Sequence, residues 1–446
     1  MIKTKPLKLA LSTACLIASL SLTGISQAED LLEVYALAYE TDPILKQAIS
    51  DRQSVGEYSV QAFSRFLPQV YASASTYGHN NNKPKEENND KSYNSHDYNV
   101  NLSQSLFDNT NFVNYRISHI QNKVADANLN ATQQELIVRT ADAYFFTLAA
   151  LDNVGFTKSE RKAIKRQLDQ ATRRYEVGII AITDVHEAQA GYDNANASVI
   201  SAENELLIAK ERLRELTSQY IDEVVPLAEK IPLSPPVPED IQQWVDLALT
   251  GNYTLLASQE SSMIQKENIE LQRSGHYPTL GLTASYGYLK RNGPTSYSAN
   301  QSHDSLVGIN VNVPIFEGYA VTSRTRQAQY DFQTSQESYA ETHKATEKDT
   351  RSSYLNVISE ISRVKALKQA VVSNISALNA TEAGFEVGTR TIVDVLNVQS
   401  ELYRAKQEHS NSRYIYILNV LRLKRDAGTL ERSDIEMVNG WLLKQS

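Results

Sequence analysis

An internally duplicated, mixed α and β membrane protein is the fold class that three features of this chain predict. One ten-residue stretch occurs twice, EVGIIAITDV over Glu176 to Val185 and EVGTRTIVDV over Glu386 to Val395, with six of ten positions identical. Two pairs of segments alternate apolar and polar residues over a membrane-crossing length. Two helical stretches of about 65 to 70 residues hold almost no glycine or proline.

The two motif copies lie 210 residues apart, and Leu37 with Leu247, Pro68 with Pro278, Ala74 with Ala284, Tyr144 with Tyr354 and Gln189 with Gln399 keep that offset. The chain therefore divides into repeat one, 29–225, with a β-hairpin over about 69–107 and a tip at 176–185. Residues 226–238, holding five prolines, form a connector. Repeat two, 239–428, has its hairpin over about 279–314 and its tip at 386–395, and a tail follows over 429–446.

Residues 1–28 read as a secretory signal peptide: Lys3, Lys5 and Lys8, an apolar run from Leu9 to Leu22, then small residues ending at Ala28. Its removal takes away the single cysteine, Cys15, and three lysines, leaving a chain more acidic than the full-length net charge of -8. Cys15 sits midway through the apolar run, which argues against a lipid-attachment role. The acidic balance, without a basic cluster interleaved with aromatics, argues against nucleic acid. No later stretch holds 18 consecutive apolar residues, so no transmembrane helix is expected.

Helix is expected from Leu31 to about Phe66, broken at Asp42 and Pro43 because proline disfavours helical geometry in the residue before it. Gly251 and Asn252 mark the matching break in repeat two. Beyond Pro278, Leu280, Leu282, Ala284, Tyr286 and Tyr288 alternate with small or polar residues, and Val307, Ile309, Val311 and Val313 do the same. Val70, Ala72 and Ala74, then Tyr98, Val100 and Leu102, are the weaker counterparts. Polar segments from His79 to Ser95 and from Arg291 to Ser302 read as loops. Four strands of about ten residues suit a tilted bilayer crossing. They cannot close a barrel alone, and an open edge in lipid leaves backbone groups unpaired, so a membrane role needs several copies. A small soluble sheet with one wet face is the alternative that alternation leaves open.

The stretches Asp108 to Val177 and Tyr319 to Ala383 make rods of roughly 100 Å. Val185, Ala188, Tyr192, Ala195, Val199, Ala202, Leu206, Ala209, Leu213 and Leu216 form a heptad seam, with alanine at every seventh place for close helix approach. Val357, Ile361, Val364, Val371, Ile375, Leu378 and Phe385 keep the same steps. Periodicity alone fits a coiled-coil spacer and a tunnel wall equally.

Catalytic and metal signatures are absent: no GxGxxG, GxxxxGK[ST], HExxH or GxSxG occurs, and the eight histidines are scattered. No enzyme, cofactor or metal site is expected. At the tips, Gly178 and Gly388 suit the left-handed position that closes a helix. Asp184 and Asp394 fall in the first turn of the next helix, where the dipole favours negative charge. Thr391 and Asp394 have capping-box spacing. Capping leaves Arg390 unexplained.

VGTRTIVDVL from Val387 to Leu396 and VGIIAITDV from Val177 to Val185, with the duplicated hairpin-plus-long-helix order and the signal peptide, resemble the TolC family of outer-membrane efflux proteins. The resemblance implies a homotrimer in the outer membrane of a Gram-negative bacterium. Its twelve strands, four per chain, make one transmembrane β-barrel, continued by an α-helical coiled-coil tunnel across the periplasm. It implies the exit duct of tripartite multidrug efflux and type I protein secretion, opened by a periplasmic adaptor (membrane fusion protein) and an inner-membrane transporter of RND or ABC type. By position, Asp394 and Asn397 would form the aperture constriction. Thr183, Asp184, Phe385 and Arg390 would form its lock, and Gly178, Val387, Gly388, Thr389, Arg390 and Thr391 the adaptor-contacting tips. Two positions depart from the family pattern: Phe385 replaces a tyrosine that bonds Asp184, and Asn397 replaces a second constriction aspartate. The competing reading is a periplasmic coiled-coil adaptor or spacer without a pore.

Overall fold

The computed structural model describes residues 28–80, 93–292 and 301–443. The expected signal peptide, the inner parts of both hairpin loops and the last three residues of the tail lie outside the described residues.

In the first half, α1 (Leu31–Thr41) and α2 (Pro43–Ser64) lead into β1 (Gln69–His79) and β2 (Tyr93–Phe107), then α3 (Asn109–Glu176) and α4 (Ile182–Thr217). The second half runs α5 (Ile241–Gly251), α6 (Tyr253–Arg273), β3 (Thr279–Asn292), β4 (Gln301–Asn312), α7 (Ala320–Glu386) and α8 (Ile392–Asp426), and α9 (Arg432–Asn439) closes the chain. Asp42 leaves helical geometry ahead of Pro43, and its carboxylate accepts from the Leu45 amide at 2.7 Å, so one residue ends α1 and caps α2. Asn252 does the same between α5 and α6, accepting from Leu255 at 3.0 Å without a proline.

The strands form one antiparallel sheet in the order β1-β2-β3-β4. Register decides what the sheet can face. Ala72 pairs with Val100 and Val100 with Tyr286, while Leu102 pairs with Ala284 and Ala284 with Val307, so the alternating apolar positions of the four strands fall on one face, with Tyr71, Tyr77, Leu289 and Leu306 on the other. The other face also carries Ser73, Asn99, Asn101, Ser285 and Asn310. Val307 is 76% and Ile309 65% exposed, so nothing among the described residues covers this part of the apolar face. Among the described residues, β1 and β4 have no strand beyond them. The expected ten residues fall short: β2 spans 15 and β3 spans 14, because Ser95 and His96 go on pairing with Arg291 and Lys290 past the apolar band.

α3 runs 68 residues through Gly155 without a break, roughly 100 Å of helix. The core sits about midway along it, where Leu136, Tyr144, Phe145 and Leu148 pack against Leu213 of α4, Val357 of α7, Leu421 of α8 and Ile435 of α9. The Tyr144 hydroxyl donates to the Val225 carbonyl at 2.8 Å and ties the residue that leads into the connector to this level. Buried Ala188, Ala195, Ala202 and Ala209 mark the close approach of α4 to α3. The α7 seam is discontinuous within one chain: Val357, Ile361, Val364 and Phe385 are buried, but Ile375 is 41% exposed.

At this level Arg139 donates to both oxygens of buried Asp42, at 2.9 and 3.0 Å. Burial pushes the Asp42 carboxyl up, but the hydrogen bonds from Arg139 and the Leu45 amide outweigh it and hold the group below its ordinary value. A carboxyl depressed on folding stabilises above its unfolded pKa and loses that contribution as pH falls through the folded value. Asp42→Asn therefore flattens the acid limb of the stability–pH profile below about pH 4, measured by thermal unfolding across pH. Two glycines should separate in the same assay. Gly428, at φ +72°, lies against the Gly251 carbonyl, which an added Cβ would approach to 2.0 Å, whereas a Cβ at Gly155 meets nothing within 4 Å. Gly428→Ala lowers the unfolding temperature, and Gly155→Ala raises stability by about 0.5–1 kcal/mol.

Candidate gate at the helical tips

Both long helices end in the same hydrogen-bonded turn. Gly178 takes φ +77°, its amide donates to the Tyr175 carbonyl at 2.8 Å and the Ile179 amide to the Arg174 carbonyl at 2.9 Å. Gly388 takes φ +81°, its amide reaches the Phe385 carbonyl at 3.2 Å and the Thr389 amide the Gly384 carbonyl at 2.8 Å. A Cβ is disfavoured at both left-handed positions, which explains why glycine recurs at the same place in the two motifs.

The tips diverge one turn later. Thr391 and Asp394 cap α8 reciprocally: the Asp394 amide donates to Thr391 Oγ1 at 3.2 Å and the Thr391 amide to Asp394 Oδ2 at 2.9 Å. The Thr391 backbone bond, its hydroxyl and the neighbouring Arg390 charge hold the Asp394 carboxyl below its ordinary value. In the first tip Ala181 occupies the cap position and offers no side-chain acceptor. Asp184 is left without a side-chain partner among the described residues.

Beneath the tips lies a second, smaller core of Leu168 and Ala171 from α3, Ala188 from α4, and Phe385, Ile392 and Val395 from α7 and α8. Phe385 is 7% exposed, and the Arg174 guanidinium lies 5.0 Å from its ring centre. That arrangement satisfies a ring without a hydroxyl. Thr183, Val387, Gly388, Thr389, Arg390, Thr391 and Asn397 are exposed, and Asp184 and Asp394 are half-buried. Of the residues expected in the lock, one chain does not join Arg390 to Thr183 or Asp184. Among the described residues the Arg390 side chain makes no hydrogen bond or ion pair.

Periodicity missed a row of contacts from α3 to α7 and α8. Ser400 donates to Glu160 at 2.7 Å, Gln167 to Glu382 at 3.2 Å, and Arg174 to the Glu386 carbonyl at 3.3 Å, with Asp152 taking bonds from Ser410 and Tyr414 higher up. Burial raises the Glu160 carboxyl, against the Ser400 bond. Glu160, Gln167 and Arg174 are spaced by seven, and that spacing of polar residues was the available signal. No metal-binding cluster of acidic, histidine or cysteine side chains occurs among the described residues. Among the described residues, no helix is long and apolar enough to cross a membrane.

The family model "Outer membrane efflux protein" matches residues 34–219 and again 244–429. The chain is 37% identical over 424 residues to the outer membrane protein TolC of Vibrio cholerae serotype O1, covering 95% of this chain and 96% of that one. It is 39% identical over 442 residues to TolC of Escherichia coli K12, covering 95% and 88%. Its fold superposes on the CmeC outer membrane channel of Campylobacter jejuni with a TM-score of 0.77, at 18% identity, covering 92% of this chain and 89% of that one. The chain belongs to the outer membrane efflux protein family, and it serves as an exit duct in the outer membrane of a Gram-negative cell, reaching into the periplasm.

Proposed function

We propose that three copies of the chain close one twelve-stranded barrel, β4 of each copy pairing with β1 of the next, and that their helices form the tunnel beneath it. The carrying observation is a four-stranded sheet with one continuous apolar face and two unpaired edges. In hydrocarbon an unpaired backbone edge costs several kcal/mol per group, and closure removes it. The polar face then lines a wet lumen, and exposed Ile375 becomes part of a seam between copies. The two family-model matches share the 210-residue offset of the tip motifs, which supports two repeats, 29–225 and 239–428, joined by the connector 226–238. The tips, exposed from Val387 to Thr391, receive a periplasmic adaptor, and an inner-membrane transporter of RND or ABC type supplies the energy. Drug-like and protein cargo leave by the same duct.

At the closed aperture, Arg390 of one copy pairs with Thr183 and Asp184 of a neighbour. Two features support this: Asp184 lacks the cap partner that Asp394 has, and the exposed Arg390 side chain makes no hydrogen bond or ion pair among the described residues. Asp394, whose carboxyl is held below its ordinary value within one chain by its own cap, contributes to a ring of three carboxylates. Asn397 leaves the next ring neutral.

A planar-bilayer recording tests the duct: steady single-channel current supports it, and silence in a protein shown to have inserted would remove it. Arg390→Ser should raise conductance, because losing a charge-assisted bond of about 1.5–3 kcal/mol per copy shifts the closed–open balance about tenfold or more. Unchanged conductance counts against the lock. Asn397→Asp should lower the concentration of a trivalent cation needed for half-block by about tenfold, since it adds a second carboxylate ring. Equal block in both proteins defeats the ring assignment.

A further inference from the structure

We propose that the outer rim of the sheet carries a binding strip for the phosphate groups of outer-leaflet lipopolysaccharide, with Lys290 as its cation. The inference rests on the reading that the apolar face meets lipid. Ten residues separate Leu280 from Lys290 on β3, about 33 Å along a strand, and a tilt of 35–45° brings this to roughly 25 Å, the height of a barrel's apolar band. Lys290 therefore stands at the outer headgroup level when Leu280 stands at the inner one.

What surrounds Lys290 on that face fits the level. One pair below it, Tyr98 and Tyr288 stack at 6.1 Å and His303 lies 4.8 Å from the Tyr288 ring, an aromatic row of the kind found at membrane interfaces. At its own level His96 pairs with Lys290 in register and bonds Thr76 at 3.0 Å and Asn292 at 3.4 Å. The chain's register thus gathers hydroxyl, amide and imidazole groups around one ammonium.

Charge is sorted between the faces. Lys290, His96 and His303 share the apolar face, while Asp97 and Asp304, at neighbouring levels, point to the polar face. Lys290 makes no hydrogen bond or ion pair among the described residues. An unpaired ammonium above an aromatic row, with no carboxylate on its side among the described residues, is complementary to an anionic headgroup and not to a neutral one.

Native mass spectrometry of the full-length protein, with bisphosphorylated lipid A and its dephosphorylated form as probes, tests this. The phosphorylated lipid should bind more tightly, Lys290→Gln should reduce that preference about fivefold, and Arg291→Gln, one residue along on the opposite face, should leave it intact. Millimolar inorganic phosphate should not displace the lipid. Equal binding of the two lipids, equal loss in both variants, or displacement by inorganic phosphate overturns the assignment. Channel current of each variant in pure phosphatidylcholine reports separately on the barrel, so a failed barrel and a failed lipid site give different results.

Discussion

Backbone hydrogen bonding at the two edges of the sheet governs this architecture. Within a chain β1 and β4 end the sheet. Water would satisfy those edges, but the apolar face presented by all four strands requires hydrocarbon, where no water is available. In the proposed ring both demands are met by joining edges across copies. The length of the helices follows from the same constraint, because each chain must also bury the seams of two rods that its own core covers only near the middle and at the tip.

The tips hold the candidate gate of that architecture. Identical helix-closing turns hold both tips in the same geometry, and the residues that follow them differ in what they leave free. Asp394 is committed to its own helix by the Thr391 cap. Asp184, behind Ala181, is not. One carboxylate can therefore serve as a fixed charge and the other as a partner for a group arriving from elsewhere. Phe385 is buried in the small core beneath the tips with the Arg174 guanidinium over its ring.

Local features of this fold were legible in the sequence. The Pro43 break, the Gly178 and Gly388 turns, the Thr391 cap and the period-two strands each depend on residues within a few positions of one another, and the structure has all of them. The features that escaped join distant residues. Nothing in the alternation of β2 says that Val100 meets Tyr286, which aligns the apolar faces. Likewise, the approach of Gly428 to Gly251 and the contact of Arg174 with Phe385 arise from packing between elements that periodicity treats separately. The aperture residues were placed by motif, but a contact between copies lies beyond what one chain can display.

In the proposed ring the two joined edges differ in sequence, so every joint between copies would be heterologous, β4 against β1. Each copy in such a ring takes part in two joints, and a single bad edge opens the whole circumference to lipid. In a cell expressing sound and edge-defective copies in equal amounts, only about one ring of three in eight would be free of a defective member. Damage to an edge strand in one gene copy would therefore be dominant, suppressing export well below half even while sound protein continues to be made.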